Sequence, residues 1–210
     1  MKETFDTNWV VPMGPNVNAF EKDLEAFANS KNDGTEPLDR KVVCLSAGTA
    51  AVHLGLLASG VGPGDEVCVQ SFTFCASSHP ITYLGATPVF IDSEPDSWNM
   101  DPELLEKAII DRKEKTGKYP KAIVPVALYG MPYDCDKIMA ISEKYGIPVV
   151  EDAAEGCGSR WKGQVLGTFG KFGVLSFNGN KMITTSGGGA LICQDAESKN
   201  NVMWYATQAR

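Results

Sequence analysis

Lys181 stands alone among small polar and glycine residues, in Ser176-Phe-Asn-Gly-Asn-Lys-Met-Ile-Thr-Thr-Ser-Gly-Gly-Gly. Glycines let a backbone close tightly on a ligand, and an amine held there can act as a nucleophile or carry a proton. By default a single lysine belongs to the surface, so its partners decide its meaning. Asp152 ends the apolar run Pro148-Val-Val-Glu-Asp. In low dielectric such a carboxylate stays ionised only beside a cation or a donor, although a helix cap or a loop ion pair also suits it. Strand alternation turns Glu151 to the other side, while Glu155 either shares the site or completes a capping box with Asp152. Ser46-Ala-Gly-Thr-Ala-Ala reads as a strand-to-helix turn whose first amides suit a phosphate. There Thr49 either adds a hydroxyl donor or caps its own helix. Phe74, in Ser71-Phe-Thr-Phe, either stacks on a planar ring or joins the core. A lone amine, a strand-end carboxylate and an anion hole are together what pyridoxal phosphate chemistry requires.

The elements around these residues alternate. Phe20, Leu24 and Phe27 share one face of a helix, and a polar loop spans Asn29 to Asp39. Apolar strands are predicted at Val42–Leu45, Glu66–Gln70, Pro88–Asp92, Lys121–Val126 and Ile147–Asp152, then at Phe172–Phe177 and Gly189–Cys193. Helices are predicted at Thr49–Ser59, at Thr73–Leu84, from Asp101 with Pro102 in its first turn, at Asp134–Tyr145, and from Asp195 to the last residue. Fully apolar strands alternating with helices imply an α/β fold of three layers, α/β/α, around a mostly parallel sheet. Ligands gather at the C-terminal edge of such a sheet, where every residue singled out above falls.

Composition narrows the function further. The 210 residues carry a formal charge of −7, which disfavours electrostatic binding to nucleic acid or to an anionic membrane surface. No apolar run approaches the roughly 20 residues that cross a bilayer, and the opening Met-Lys-Glu-Thr-Phe-Asp lacks the core of a signal peptide, so a cytoplasmic protein is expected. The six cysteines form no Cys-x-x-Cys pair and are expected as buried free thiols, and with only His53 and His79 no metal site is expected. The 21 glycines cluster around Gly48, at Gly60 to Gly64, at Gly156 to Gly173 and at Gly179 to Gly189, the densest of these clusters bracketing Asp152 and Lys181.

From about Gly14 to Arg210 the sequence resembles the DegT/DnrJ/EryC1/StrS family of nucleotide-sugar aminotransferases. The resemblance rests on Ser46-Ala-Gly-Thr-Ala-Ala, Gln70-Ser-Phe-Thr-Phe, Glu151-Asp-Ala-Ala-Glu, Gly167-Thr-Phe-Gly and the segment around Lys181, with Asp152 and Lys181 separated by 29 positions (181 − 152). It implies the large domain of a fold-type I pyridoxal phosphate-dependent transferase over residues 16–210, an N-terminal segment at 1–15, and a small C-terminal domain absent from this chain. Residue by residue, Lys181 matches the Schiff-base lysine, Asp152 the acid on the pyridine nitrogen, and Phe74 the ring-stacking aromatic. Thr49, Ala50 and Ser176 match phosphate contacts, and Glu155 stands where relatives carry Gln, His or Glu near the ring hydroxyl. Related dehydratases carry histidine in place of the lysine, so Lys181 points to transamination. The implied reaction moves an amine from glutamate to a nucleotide-linked ketosugar for surface polysaccharide or glycan synthesis. The wording around Lys181 most resembles members acting on UDP-4-keto-6-deoxy-N-acetylhexosamines, and relatives are homodimers with shared active sites. A catalytically inert cofactor-binding fragment and an unrelated phosphate-binding α/β module are the alternatives.

Overall fold

The structure is a computed structural model and describes residues 2–209. In chain order the elements are α1 (Lys2–Asp6), α2 (Pro15–Asn29), β1 (Lys41–Leu45), α3 (Gly48–Ala58), β2 (Glu66–Gln70), α4 (His79–Tyr83), β3 (Thr87–Ile91) and α5 (Pro102–Thr116). After them come β4 (Ala122–Val124), α6 (Cys135–Tyr145), β5 (Val150–Asp152), the small hairpin β6 (Arg160–Trp161) and β7 (Gln164–Val165), β8 (Phe172–Ser176), β9 (Gly189–Cys193) and α7 (Ala196–Ala206). Local chemistry sets several boundaries. Asp101 accepts from the Glu103 and Leu104 amides to start α5, Asp134 caps α6 and Asp195 caps α7. Gly117 and Gly146 then end α5 and α6 in the left-handed conformation.

The strands form two ladders, β1-β9-β8-β5 and β3-β2-β4. Parallel bridges from Ile123 to Val149 and from Val126 to Asp152 place β4 beside β5, so the ladders continue one another. Every named pairing in these ladders is parallel except those of β9, which runs against both β1 and β8. Burial on both faces explains the apolar strands: Val42, Cys68, Ile123 and Leu175 pack with α2, α5 and α6, whereas Val43, Val67, Val124 and Val174 pack with α3, α4 and α7. The expected three layers are present. No helix among the described residues is long and apolar enough to cross a membrane.

Three local expectations need correction. The helix expected at Thr73–Leu84 is a 3-10 turn at Cys75–Ser77 followed by the short α4, and Phe74 before it is extended. Pro80 lies in the first turn of α4, and proline cannot sit inside a continuous helix because it lacks an N–H and its ring meets the carbonyl four residues back. Cys75, in that turn, is exposed and Cys44, in β1, is only partly covered, so the expectation of buried thiols holds for the other four cysteines. Finally, α7 ends at Ala206, and Gln208 and Ala209 take positive φ; Arg210 and Met1 lie outside the described residues.

Close approach of backbones at one point makes a strong demand on sequence. A Cβ on Gly173, in β8, would stand 1.9 Å from the Gly167 carbonyl oxygen. Gly173→Ala is expected to destabilise the fold by about 3 kcal/mol, seen as a lowered denaturation midpoint at unchanged m-value. A midpoint equal to that of the parent protein would contradict this packing.

Candidate active site

Because all the strands of these two ladders but β9 run in one direction, their C-terminal ends share one edge. A cavity of about 540 Å³ opens there, lined from the segments after β1 (Ser46 to Thr49), β2 (Phe72 to Phe74), β4 (Val126 to Tyr129), β5 (Asp152 to Glu155) and β8 (Ser176 to Lys181). Two of its lining segments, after β2 and β4, are held by a buried amide pair. Gln70 accepts from the Met100 amide at 2.8 Å and the Val126 amide at 3.3 Å, and donates to the Phe72 carbonyl at 2.9 Å. Asn99 in turn accepts from the Leu128 amide at 3.1 Å and donates to the Met131 carbonyl at 3.0 Å. Three loops are thus tied to two side chains.

Asp152, the last residue of β5, is buried at 6% exposure yet borders the cavity. Its Oδ1 accepts the Ala154 amide at 3.1 Å and its Oδ2 accepts the Ser77 hydroxyl at 2.6 Å. Burial pushes its carboxyl above the ordinary range, while Ser77, the Ala154 amide and Lys181 oppose that rise and Glu155 adds to it. Glu151, facing the other way as expected, is wholly buried and gathers the amides of Gly167, Phe169 and Gly170 at 2.9, 2.6 and 2.6 Å. Burial raises its carboxyl too, against the pull of those amides. The two neighbours therefore divide their work, Glu151 shaping the glycine turn before β8 and Asp152 serving the cavity.

The Lys181 amine reaches Glu155 Oε1 at 3.3 Å with only 15% of its side chain exposed. Glu155 Oε2 accepts the Tyr129 amide at 2.8 Å. No helix follows β5, so the capping-box alternative for Glu155 is excluded and its partners are the lysine and the Tyr129 turn. Tyr129 itself holds a left-handed φ of 51°, and Gly130 follows at 83°. A hydrogen bond from Ser159 Oγ to the Gly130 carbonyl at 2.7 Å anchors that turn.

At the opposite wall α3 starts without a side-chain cap, because its N-cap is Ala47. The first i to i−4 bond is made by Ala51 to Ala47, leaving the amides of Gly48, Thr49 and Ala50 without a partner in the helix ladder. Contacts with the sheet are close: a Cβ on Gly48 would stand 2.9 Å from the Ser176 Cβ, and one on Gly189 would stand 2.3 Å from the Ala47 carbonyl carbon. Glycines here are what bring the helix N-terminus against Ser176 at the end of β8.

Of the residues singled out from sequence, Lys181, Asp152, Glu155, Thr49, Ser176 and Phe74 all line this cavity. Ala50 is not among its lining residues and offers only its place in the first turn of α3. Phe74 is 74% exposed, so the core alternative is excluded and its ring is free at the rim. Sequence reading passed over Ser77, which is buried against Asp152. Ser77 carried one faint signal, its spacing of four from Thr73.

Comparison with known proteins agrees with this geometry. A model of the DegT/DnrJ/EryC1/StrS aminotransferase family matches residues 1–209. EpsN of Bacillus subtilis (strain 168), whose name describes a pyridoxal phosphate-dependent aminotransferase, is 47% identical over 210 residues, covering 100% of this chain and 52% of that protein. The UDP-2-acetamido-2-deoxy-3-oxo-D-glucuronate aminotransferase of Pseudomonas aeruginosa is 40% identical over 188 residues, 88% of this chain and 47% of that protein. A crystal structure of a DegT DnrJ EryC1 StrS aminotransferase from Brucella abortus superposes with a TM-score of 0.88 at 35% identity, over 97% of this chain and 52% of the other. The chain spans about half the length of the curated relatives it matches. With a lysine, a buried carboxylate and an uncapped helix start converging on one cavity, and a family match over nearly the whole sequence, the chain belongs to the DegT/DnrJ/EryC1/StrS aminotransferase family, whose cofactor is pyridoxal phosphate.

Proposed function

We propose that the protein is an aminotransferase that moves an amino group from glutamate to a nucleotide-linked ketosugar. In this reading residues 16–210 are the large cofactor domain of a homodimeric enzyme, 1–15 form a segment preceding it, and the small C-terminal domain lies outside this chain. The observation that carries the reading is the convergence of Lys181, Asp152 and the uncapped start of α3 on one cavity. The residues present fit pyridoxal phosphate. The free amides of α3, with Thr49 and Ser176, offer donors to a phosphate at the positive end of a helix. Asp152 keeps lone pairs for a protonated ring nitrogen, and the exposed Phe74 ring can cover a planar ring. Glu155 reaches the Lys181 amine and would stand near the ring hydroxyl.

When bound, the cofactor supplies an electron sink for the bonding pair released from the carbon next to the donor's amine. The chain's own residues do the rest. Asp152 would hold the positive charge on the ring nitrogen, Lys181 would accept and return the proton at the reacting carbon, and the Tyr129 turn and α3 bound the space in which this would happen.

For the acceptor, the sequence around Lys181 favours a UDP-4-keto-6-deoxy-N-acetylhexosamine destined for surface polysaccharide or glycan, made from the cytoplasmic pool. The 3-oxo sugar in the name of the Pseudomonas aeruginosa relative favours a second reading, amination at carbon 3. Mixing the protein with pyridoxal phosphate should give a visible band that borohydride bleaches, leaving the cofactor fixed to Lys181 in the peptide map. Glutamate should then convert the cofactor to its amine form, which a 4-keto and a 3-keto UDP sugar are offered in parallel to discharge. A protein that never develops the band is a different phosphate-binding module; one with the band but no discharge by either sugar is inert or acts on another acceptor.

A further inference from the structure

Burial favours the neutral form of Asp152, yet the proposed chemistry needs it charged and aimed. Its two oxygens are treated differently. Oδ1 is held by the Ala154 amide, from its own loop. Oδ2 is held by Ser77, 75 positions away and buried at 1% exposure. Ser77 Oγ also lies 2.8 Å from Thr73 Oγ1. A hydroxyl has a single proton to donate, so if Ser77 spends it on the carboxylate, Thr73 must donate to Ser77. The three groups then form a directed chain, Thr73 to Ser77 to Asp152, whose members polarise one another. Thr73 borders the cavity and Ser77 is shut away behind it, both on the segment between β2 and α4 that departs from a regular helix.

We propose that Ser77, backed by Thr73, is a positioning residue that fixes the Asp152 carboxylate with its remaining lone pairs toward the cavity. The proposal deepens the aminotransferase reading and rests on it for its catalytic consequence, but the contact between Ser77 and Asp152 stands without it. Other charged groups facing Asp152 are Lys181, which favours the ionised form, and Glu155, which opposes it. A carboxylate that loses a charge-assisted donor in a buried setting is both less firmly aimed and harder to ionise. In the fold a carboxyl with a raised pKa has its burial penalty absent below the unfolded value and complete above the folded one. Without Ser77 Oγ that penalty grows, and it grows only where Asp152 is ionised.

The test compares Ser77→Ala, Ser77→Thr and Thr73→Val, each with Asp152 and with Asp152→Asn. In the protein carrying pyridoxal phosphate, Ser77→Ala is expected to lower kcat about 10- to 100-fold with little change in the sugar KM, and to move the acid limb of the kcat profile upward by about one pH unit. Ser77→Thr, which keeps the hydroxyl, should recover most of the rate, and Thr73→Val should show a smaller loss of the same kind. In protein without cofactor, the stability lost through Ser77→Ala should widen as pH rises through the carboxylate range, and this widening should vanish in the Asp152→Asn background. An equal, pH-independent loss in both backgrounds would make Ser77 a packing residue and overturn the proposal. If the protein takes up no pyridoxal phosphate the aminotransferase reading fails, while the stability comparison still decides whether Ser77 acts through Asp152.

Discussion

Lys181→Ala is expected to abolish amino transfer, with a loss on the order of 10⁴-fold or more relative to the parent protein. Among the described residues lining the cavity Lys181 supplies the only amine, and Glu155 holds it by an ion pair of 3.3 Å. Two duties fall to that amine in the proposed function: anchoring the cofactor and shuttling the proton at the reacting carbon. No neighbouring side chain of that cavity can assume both, since the remaining polar groups are carboxylates, hydroxyls and amides. Single-turnover conversion of the cofactor by glutamate isolates the donor half-reaction, in which both duties are needed, because it requires neither the sugar nor product release. The variant is expected to bind pyridoxal phosphate loosely, to show no band that borohydride fixes to the chain, and to give no conversion. Turnover near that of the parent protein would sink the assignment.

Asp152→Asn carries the second large effect. The substitution keeps the shape and much of the hydrogen bonding but removes the charge that would sit against the ring nitrogen. Loss of a buried electrostatic partner of this type costs on the order of 10²- to 10³-fold in kcat. Some cofactor should remain bound, because the phosphate cradle at α3 and Ser176 is untouched. The same variant has a signature in stability. Burial raises the Asp152 carboxyl above its ordinary value, so the folded state holds that proton more tightly than the unfolded chain does. The contribution of Asp152 therefore becomes less favourable as pH climbs from the unfolded value through the folded one, and is constant above it. Asparagine does not titrate, so the variant should gain stability relative to the parent protein as pH rises through that window. Unchanged kcat, or a stability difference that is flat with pH, would contradict the picture of a buried, charged Asp152.

The two neighbours Glu151 and Asp152 show how far local pattern reaches. Alternation along a strand separates their directions, and that much was legible in Pro148-Val-Val-Glu-Asp. What each carboxylate meets was not, because Glu151 finds its three amides at 167 to 170 and Asp152 finds its hydroxyl at Ser77. Glu155 is similar: three residues after an acid, its spacing fits a helix cap, and only the absence of a helix after β5 shows that it serves Lys181 and Tyr129. Phe74 was readable as an aromatic at the sheet edge, whereas its exposure and its extended backbone before the 3-10 turn were not.

Most of the sheet strands and long helices, the three-layer class and the residues placed after each strand were legible in the sequence, because these depend on short-range periodicity and on turn residues a few positions apart; α1, the β6/β7 hairpin and the break before α4 were not. The ordered motifs of the sequence also sufficed to indicate the family. Three-dimensional contacts alone reveal that β9 runs against its neighbours, that α3 begins without a side-chain cap against Ser176, and that Ser77 donates to Asp152. Those facts depend on contacts between segments distant in the chain, and the free energy of a buried charge is set by whichever groups surround it in space.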